Sequence, residues 1–521
     1  MSEKRRRLRR PALCCVVLIA AYIAGSLTLP FLPLPKVGET YMAAWKKTAA
    51  ALRRKAAPAQ RAMIVETPRE ALDIRLRLLE RAKTRIIYST FDFREDESGT
   101  IVAASLWAAA ERGVGIKLLV DGMNGASDML GHDIFALLGA HPNVEIRFYN
   151  RPSIWKPWTF NGRMHDKYMI IDQEFLLLGG RNTSDLFLGE ADNRHLSDDR
   201  EIMVWLPEAE AGGAAAADFR QAAAEPETAT DLRQAPSAGQ AAGLTAAPSA
   251  RPALRQLEDY FNSVWELPVT GMAFEAGLDD RERASARGKL EEVYATQKAL
   301  APELYDPSYD FTEATVPIDN AALIHNPTTI MAKEPWVWYS LQSLMEEAES
   351  RALIHTPYAV LSKPMVEGLR RISERGIEAE MLINAPATGE NLIGSADYVW
   401  NQDKLLDTGL GVWEYYGERS SHGKSLLIDD DLAVIGSFNW DMRSAYLDTE
   451  LMLAVYGEEF NQLLTVNLER MKERAVGLER LPDGSVGHTQ APDFPLPEAP
   501  LLKRLIIGLL APLTQLFRFL V

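Results

Sequence analysis

A short segment occurs twice in this chain, and the repeat limits what the chain can fold into. The copies read GRMHDKYMIIDQEFLLLGGRN and SSHGKSLLIDDDLAVIGSFN. Histidine, lysine, aspartate, glycine and asparagine occupy the same offsets in both copies: His165, Lys167, Asp172, Gly179 and Asn182 in the first, and His422, Lys424, Asp429, Gly436 and Asn439 in the second. Five shared positions in register indicate a duplicated active-site motif.

The residues before each copy also repeat their pattern. Helical periodicity covers residues 68–82 and 100–113 in the first half, and 337–350 and 363–376 in the second. Strand patterns cover 85–93 and 116–122, and again 352–360 and 378–385. The sequence therefore predicts a duplicated α/β unit, with helices flanking a mostly parallel or mixed sheet.

Length and charge exclude several classes of protein. A chain of 521 residues is too long for one ordinary core, which favours two domains or more. The formal net charge of −16 argues against a nucleic-acid partner, because phosphate contacts need a basic surface. The two cysteines, Cys14 and Cys15, are adjacent in an apolar segment, so neither a disulfide framework nor a zinc site can be built.

Both ends of the chain are apolar. The run KRRRLRR precedes the uncharged residues 12–29, which are long enough for a transmembrane anchor. A cleaved signal peptide is the alternative, although no clear cleavage site precedes the prolines. The apolar residues 500–521 are interrupted by Pro512, which favours an interfacial membrane helix over a second span, with a buried packing helix as the alternative.

These features divide the chain into segments. The Ala/Pro-rich stretch at about 208–251 is predicted to be a disordered insertion. The predicted segments are a basic terminus (1–10), a membrane anchor (11–35), a juxtamembrane linker (36–60), a first lobe (61–270), a connecting region (271–335), a second lobe (336–478), a linker (479–499) and an apolar helix (500–521).

The repeated residue types fit the transfer of a phosphodiester. Two imidazoles, two ammonium groups and two amides can supply a nucleophile, an acid for the leaving alcohol and donors for developing charge. The predicted catalytic and phosphate-binding residues are His165, His422, Lys167, Lys424, Asn182 and Asn439. The lysines and amides can replace magnesium, so no metal or other cofactor is expected.

Two more carboxylates follow the asparagines. Glu201 and Glu450 each open an apolar strand, where a buried carboxylate can orient an imidazole; an exposed strand end is the alternative. We expect Glu201 to hold His165 and Glu450 to hold His422. Asp172 and Asp429 lie beside turns and are interpreted as structural supports.

Two aromatic residues precede the first copy. Trp155 and Trp158 could form an apolar lip for acyl chains, although ordinary packing is the more common use of such residues.

The motifs resemble the phospholipase D superfamily, whose signature HxKxxxxD with a downstream asparagine occurs twice per active site. The fragments RMHDK, LGGRN, GSFNWDMRS and DTE are most similar to the type C branch of bacterial cardiolipin synthases. The chain departs from that pattern at Met442, Asp448 and Gly423. The resemblance implies a two-lobed fold with one active site at the lobe interface.

It also implies a membrane-anchored phosphatidyltransferase, which passes a phosphatidyl group to phosphatidylglycerol through a phosphohistidine and so forms cardiolipin. His165 would be the nucleophile and His422 the acid and base. Phosphatidylglycerol is the expected phospholipid substrate, with phosphatidylethanolamine as a second candidate substrate. Hydrolysis to phosphatidic acid is the first alternative, and a membrane-tethered nuclease the second. The arginines before residue 12 favour an extracytoplasmic catalytic part, and no protein partner is predicted.

Overall fold

Two large β-sheets dominate the computed structural model, which describes residues 17–55, 60–190, 196–207, 252–274, 277–489 and 494–521. The predicted insertion at 208–251 and the basic terminus at 1–10 lie outside the described residues.

Twenty-two strands run through the described residues. In chain order they are β1 (Gln60–Val65), β2 (Arg85–Thr90), β3 (Gly115–Asp121), β4 (Val144–Tyr149), β5 (Tyr168–Ile171), β6 (Phe175–Gly179), β7 (Ser197–Asp198), β8 (Glu201–Trp205), β9 (Thr270–Met272), β10 (Val316–Ile318), β11 (Asn320–His325), β12 (Arg351–Thr356), β13 (Ala359–Val360), β14 (Glu378–Asn384), β15 (Gly411–Tyr415), β16 (Ser420–Ser421), β17 (Ser425–Ile428), β18 (Leu432–Gly436), β19 (Trp440–Asp441), β20 (Leu451–Tyr456), β21 (Ala475–Arg480) and β22 (Val486–His488).

Helices connect and cover these strands. They are α1 (Glu39–Leu52), α2 (Pro68–Arg81), α3 (Glu97–Glu111), α4 (Gly122–Asp128), α5 (Asp133–Gly139), α6 (Asp185–Leu188), α7 (Ala253–Trp265), α8 (Asp280–Leu300), α9 (Trp336–Glu346), α10 (Lys363–Ser373), α11 (Leu392–Leu406), α12 (Met442–Tyr446), α13 (Glu458–Lys472) and α14 (Leu501–Thr514). Short 3-10 helices lie at Leu29–Phe31, Pro157–Phe160, Pro302–Tyr305 and Arg518–Leu520.

The two sheets repeat one topology. The first has the order β10-β1-β8-β6-β5-β2-β3-β4-β9, and the second β11-β20-β18-β17-β12-β14-β15-β21-β22. From β1 and β11 onward, eight consecutive positions match in order and direction, which confirms the duplicated two-lobed α/β fold. The sheets are mixed, because parallel pairing is confined to β2–β3–β4 and to β12–β14–β15. The motif strands instead form antiparallel hairpins.

Both faces of each motif strand are buried, which explains their uninterrupted apolar runs. Met169 and Ile171 of β5 point into the core beneath the helices of the first lobe. Tyr168 and Ile170 point the other way, into a core shared with strands of the second lobe such as β17, through Leu427. The sheets thus pack against each other through one common apolar layer.

The motif aspartates support the hairpin turns. Asp172 and Asp429 adopt positive φ angles of 53° and 48°, directly after β5 and β17. The carboxylate of Asp172 accepts hydrogen bonds from three amides that lead into β2, those of Lys83, Thr84 and Arg85. Asp429 accepts the equivalent bonds before β12. These hydrogen bonds lower the pKa of both carboxyls.

The two motif glycines allow close approach between neighbouring strands. A Cβ at Gly179 would lie 2.5 Å from the carbonyl oxygen of Arg200, and one at Gly436 would lie 2.1 Å from that of Leu451. A side chain at Gly179 would therefore push β8 away from β6, and one at Gly436 would push β20 away from β18.

The predicted linker and connecting region contain ordered elements. Helix α1 packs on the second lobe, where the ring of Tyr41 stacks on that of Trp336 at 4.4 Å. Within 271–335, helix α8 packs on α3, while β10 and β11 join the first and second sheets.

The ends of the described chain are helical. Residues 17–28 form a helix, and α14 packs against α11 of the second lobe. Among the described residues, no helix has both the length and the apolarity needed to cross a bilayer. The predicted anchor at 11–35 begins outside the described residues.

Candidate active site

The motif histidines lie in extended segments directly before β5 and β17, and each segment pairs with the opposite lobe. The amide of His165 donates to the carbonyl of Thr449 at 3.3 Å. The amide of His422 donates to the carbonyl of Asp198 at 2.5 Å, and β7 pairs with β16 beside it. His165 therefore lies next to the chain that leads into β20 of the second lobe, and His422 next to the chain that leads into β8 of the first.

This pairing holds each imidazole against a carboxylate of the opposite lobe. His165 Nδ1 lies 2.9 Å from Glu450 Oε1, and His422 Nδ1 lies 2.7 Å from Asp199 Oδ2. The side chains of both carboxylates are fully buried, whereas both imidazoles are partly exposed. A hydrogen on Nδ1 that is donated to a carboxylate leaves Nε2 as the reactive nitrogen.

The predicted pairing of Glu201 with His165 and of Glu450 with His422 is therefore wrong for both histidines. Glu201 instead forms a bidentate ion pair with Arg75, with N–O distances of 2.6 and 2.8 Å, deep in the first lobe. Arg181 lies 3.5 Å from the same carboxylate. Glu201 therefore stabilises the core of the first lobe through Arg75 and contacts neither imidazole.

The strand register explains the error. In the first sheet Gly179 pairs with Glu201, but in the second Gly436 pairs with Met452. The structural equivalent of Glu450 is therefore Asp199, two residues before Glu201. The sequence indicated Glu201 and Glu450 because each opens an apolar strand, but relative to the paired glycines the two residues differ by two positions.

The two motif lysines lie beside the histidines. Lys167 Nζ donates to the carbonyl of His165 at 2.6 Å, and Lys424 Nζ donates to that of His422. Because His422 Nδ1 donates to Asp199, the contact of Lys424 Nζ with the ring is a hydrogen bond only at Nε2, 3.1 Å away. Burial lowers the pKa of Lys167 to about 7 and that of Lys424 to about 8.

Charge couples the two motifs into one site. Burial lowers the pKa of His165 well below its usual value, and Lys167 and Lys424 act in the same direction. Burial and Lys424 lower the pKa of His422 to about 4, with a further contribution from Lys167. Each lysine therefore acts on the histidine of the other lobe, and both imidazoles are neutral at pH 7 in this environment.

The motif asparagines leave hydrogen-bonding capacity unused. The Oδ1 atoms of Asn182 and Asn439 are buried without a partner in the described part of the chain. Since amide oxygen and nitrogen can exchange places by rotation, each side chain can present a donor to a bound anion.

Several neighbours of the histidines carried no duplicated signal in the sequence. The ring of Phe91 contacts that of His165 with centroids 5.0 Å apart, and Phe187 contacts His422 at 5.3 Å. The hydroxyls of Ser437 and Ser444 donate to Glu450. Burial raises the pKa of that carboxyl, while Lys167 and both hydroxyls act in the opposite direction.

The space around the second motif differs from that around the first. A pocket of about 280 Å³ opens at His422 and is also lined by Phe187, Tyr358, Asn384 and Ser420. In the first motif, Asp166 is buried and accepts a hydrogen bond of 2.6 Å from Tyr260.

The two tryptophans before the first motif have different environments. Trp155 is 81% exposed, whereas Trp158 packs against the core of the second lobe.

Comparisons with known proteins agree with this geometry. The family model described as "Cardiolipin synthase, PLD-like domain" matches residues 76–222 and 341–472, more than half of the chain. Cardiolipin synthase C of Escherichia coli (strain K12) is 25% identical over 438 residues, which cover 77% of this chain and 82% of that protein. An uncharacterized protein of Helicobacter pylori (strain J99) is 24% identical over 444 residues, which cover 78% of each chain.

Among solved structures, the phosphatidylserine synthase of Haemophilus influenzae Rd KW20 has the same fold. It superposes with a TM-score of 0.58 at 13% identity, covering 92% of this chain and all of that one. The family match spans both motifs and both lobes, so the chain belongs to the cardiolipin synthase family of phospholipase D-like, phospholipid-modifying enzymes.

Proposed function

We propose that this protein is a membrane-anchored phosphatidyltransferase that makes cardiolipin, moving a phosphatidyl group to phosphatidylglycerol through a phosphohistidine. The crossed hydrogen bonds carry the proposal: Glu450 holds His165 and Asp199 holds His422, each at Nδ1, so neither carboxylate occupies Nε2. A site that only bound a phosphodiester would not need two imidazoles fixed in this tautomer.

In the first half-reaction, His165 Nε2 attacks the phosphorus of the donor lipid. A P–N bond forms and the P–O bond to the leaving alcohol breaks, while protonated His422 gives its proton to that alcohol oxygen. Lys167, Lys424 and the two asparagine amides stabilise the charge on the non-bridging oxygens.

In the second half-reaction, His422 is neutral and takes the proton of the acceptor hydroxyl. The acceptor oxygen attacks phosphorus, the P–N bond breaks, and His165 returns to its starting state. With a hydroxyl of phosphatidylglycerol as acceptor the product is cardiolipin; with water it is phosphatidic acid.

Substrate binding also gives His422 its proton. Burial and Lys424 lower the pKa of His422 to about 4. A bound phosphodiester brings a negative charge that offsets the lysines, which raises this pKa and favours the imidazolium needed by the leaving alcohol.

The ends of the chain support a lipid substrate at a membrane. The residues before the helix at 17–28 are apolar and follow a run of arginines, consistent with a membrane anchor and an extracytoplasmic catalytic part. The overall charge of −16 disfavours the nuclease alternative.

Product analysis by mass spectrometry tests the proposal. The protein is incubated with a mixture of phosphatidylglycerol and phosphatidylethanolamine, and we expect cardiolipin as the main product. His165→Ala should form none, because no covalent intermediate can arise. His132→Ala is the matched control, since this histidine pairs with Glu95 outside the motifs and should leave the product unchanged.

Phosphatidic acid as the main product would show hydrolysis in place of transfer. Equal cardiolipin formation by His165→Ala and the unaltered protein would contradict the proposed site.

A further inference from the structure

The carboxy-terminal helix α14 is apolar on two opposite faces. Ile507 and Ala511 are buried against α11, as expected for a packing helix. On the opposite side an exposed leucine recurs every three or four residues, the spacing of one helical face. These residues are Leu501, Leu505, Leu509 and Leu513, followed by Leu516 in the turn after the helix, and Leu509 is 69% exposed.

This outer face is held in a fixed orientation. Lys503 Nζ donates to the carbonyls of Ala387 and Gly389 at 2.8 and 2.7 Å. Arg518 Nε donates to Asp397 at 2.7 Å just after the helix. Hydrogen bonds at both ends of α14 therefore keep its outer leucines exposed to water, and this apolar surface contributes no burial energy.

A second apolar segment, residues 17–32, contacts the loop that precedes the first motif. Its exposed side chains include Leu18 and Leu29. Tyr22 donates a hydrogen bond of 3.3 Å to the carbonyl of exposed Trp155, and Asn161 donates one of 3.1 Å to the carbonyl of Leu27. The loop that carries these contacts continues directly into His165.

A groove of about 650 Å³ lies between the chain that follows residues 17–32 and the chain that follows α14. Leu34 and Val37 line one side, and Leu516 lines the other. Met442 and Tyr446 also line the groove, and Met442 follows Asn439 by three residues. The chain that follows the second motif therefore reaches this groove.

The charged residues around this surface indicate what it binds. The chain is acidic overall, but Lys36 and Lys363 line the groove. Apolar side chains bordered by cations fit the surface of an anionic lipid leaflet, where buried carbon and attracted charge act together.

We propose that residues 17–32, Trp155 and the outer leucines of α14 form one docking face for an anionic phospholipid leaflet, with the groove between them receiving an acyl chain. This inference deepens the proposed function, on which its catalytic consequence rests, by naming the surface from which lipid reaches the motifs. It assigns α14 two roles: its inner face packs on the second lobe and its outer face binds lipid.

An environment-sensitive fluorophore tests the docking face without any use of activity. Cys14 and Cys15 are the only cysteines, so serine at both positions gives a background for one introduced cysteine. The full chain is labelled through Leu509→Cys, and its matched control through Leu300→Cys, which replaces a leucine that is 73% exposed on α8. Vesicles of phosphatidylcholine, with or without phosphatidylglycerol, serve as the probe.

With phosphatidylglycerol present, the label at position 509 should shift to the blue and be quenched by spin-labelled lipid, whereas the label at 300 should not change. Equal exposure of both labels to water would overturn the docking face. Shielding at 509 that depends on protein concentration and needs no vesicles would also overturn it, and would assign the face to a second copy.

A kinetic comparison separates docking from chemistry. Leu505→Glu with Leu509→Glu should lower turnover of vesicle lipid by about tenfold or more and leave turnover of a monomeric short-chain phospholipid unchanged. An equal loss on both lipids would contradict a docking role. If the unaltered protein turns over neither lipid while the label at 509 is buried, the proposed function fails and the docking face stands.

Discussion

Glu450→Gln and Asp199→Asn should each lower the transfer rate by about 10³- to 10⁴-fold while the protein remains folded. Each carboxylate accepts the Nδ1 hydrogen of one histidine, at 2.9 and 2.7 Å. An amide can turn its NH₂ group toward the ring, which favours the tautomer with hydrogen on Nε2 and so removes the reactive lone pair. The rate is measured with a p-nitrophenyl phosphodiester, and folding by circular dichroism.

Glu201→Gln is the matched control for this first prediction. Its carboxylate contacts Arg75 and neither imidazole, so the rate per folded molecule should stay within about tenfold of the unaltered protein. A loss in Glu201→Gln as large as that in Glu450→Gln would contradict the crossed pairing. So would an altered circular dichroism spectrum in the Glu450 and Asp199 variants that accounts for their loss of rate.

Glu201→Ala should have its large effect on stability instead. The substitution leaves the Arg75 guanidinium buried without its carboxylate, and breaking a buried ion pair from one side costs about 3–5 kcal/mol. We expect the free energy of unfolding, measured with urea, to fall by about that amount. A double variant with Arg75→Met and Glu201→Met should recover much of the loss, because no unpaired charge remains.

A loss below about 1 kcal/mol in Glu201→Ala would contradict this assignment of Glu201 to the core of the first lobe. The same experiment separates the two acidic residues that looked alike in the sequence. Glu201 should matter for unfolding and Glu450 for rate.

The duplicated fold could be predicted because local signals repeat in both halves. A glycine follows the carboxyl end of α3 and of α10. These residues, Gly113 and Gly376, have positive φ angles of 91° and 80°. The motif strands were recognisable from their apolar runs, since each is buried on both faces. Strand direction was harder, because a buried apolar run looks the same in parallel and antiparallel sheets.

The crossed pairing could not be read from spacing alone. It arises because Met164 bridges to Thr449 and β7 pairs with β16, contacts between residues more than 200 positions apart. Glu201 and Asp199 both lie beside the strand that follows the first asparagine, and only the pairing of Gly179 with Glu201 distinguishes them.

The environment of the second motif also depends on tertiary contacts. Gly423 occupies the place of Asp166 in the first copy, and a Cβ there would lie 2.8 Å from the ring of His355. His355 lies on β12 and is hydrogen-bonded to Arg200 of the first lobe. No local sequence pattern predicts this contact.

Trapping the covalent intermediate distinguishes the two histidines. With the p-nitrophenyl phosphodiester the leaving group needs no proton, so His422→Ala should form the intermediate and stall there. Peptide mapping by mass spectrometry should then find the phosphoryl adduct on the peptide that contains His165, and no adduct in His165→Ala. An adduct on His422 in His165→Ala would reverse the roles of the histidines, and no adduct in either variant would contradict covalent transfer through this site.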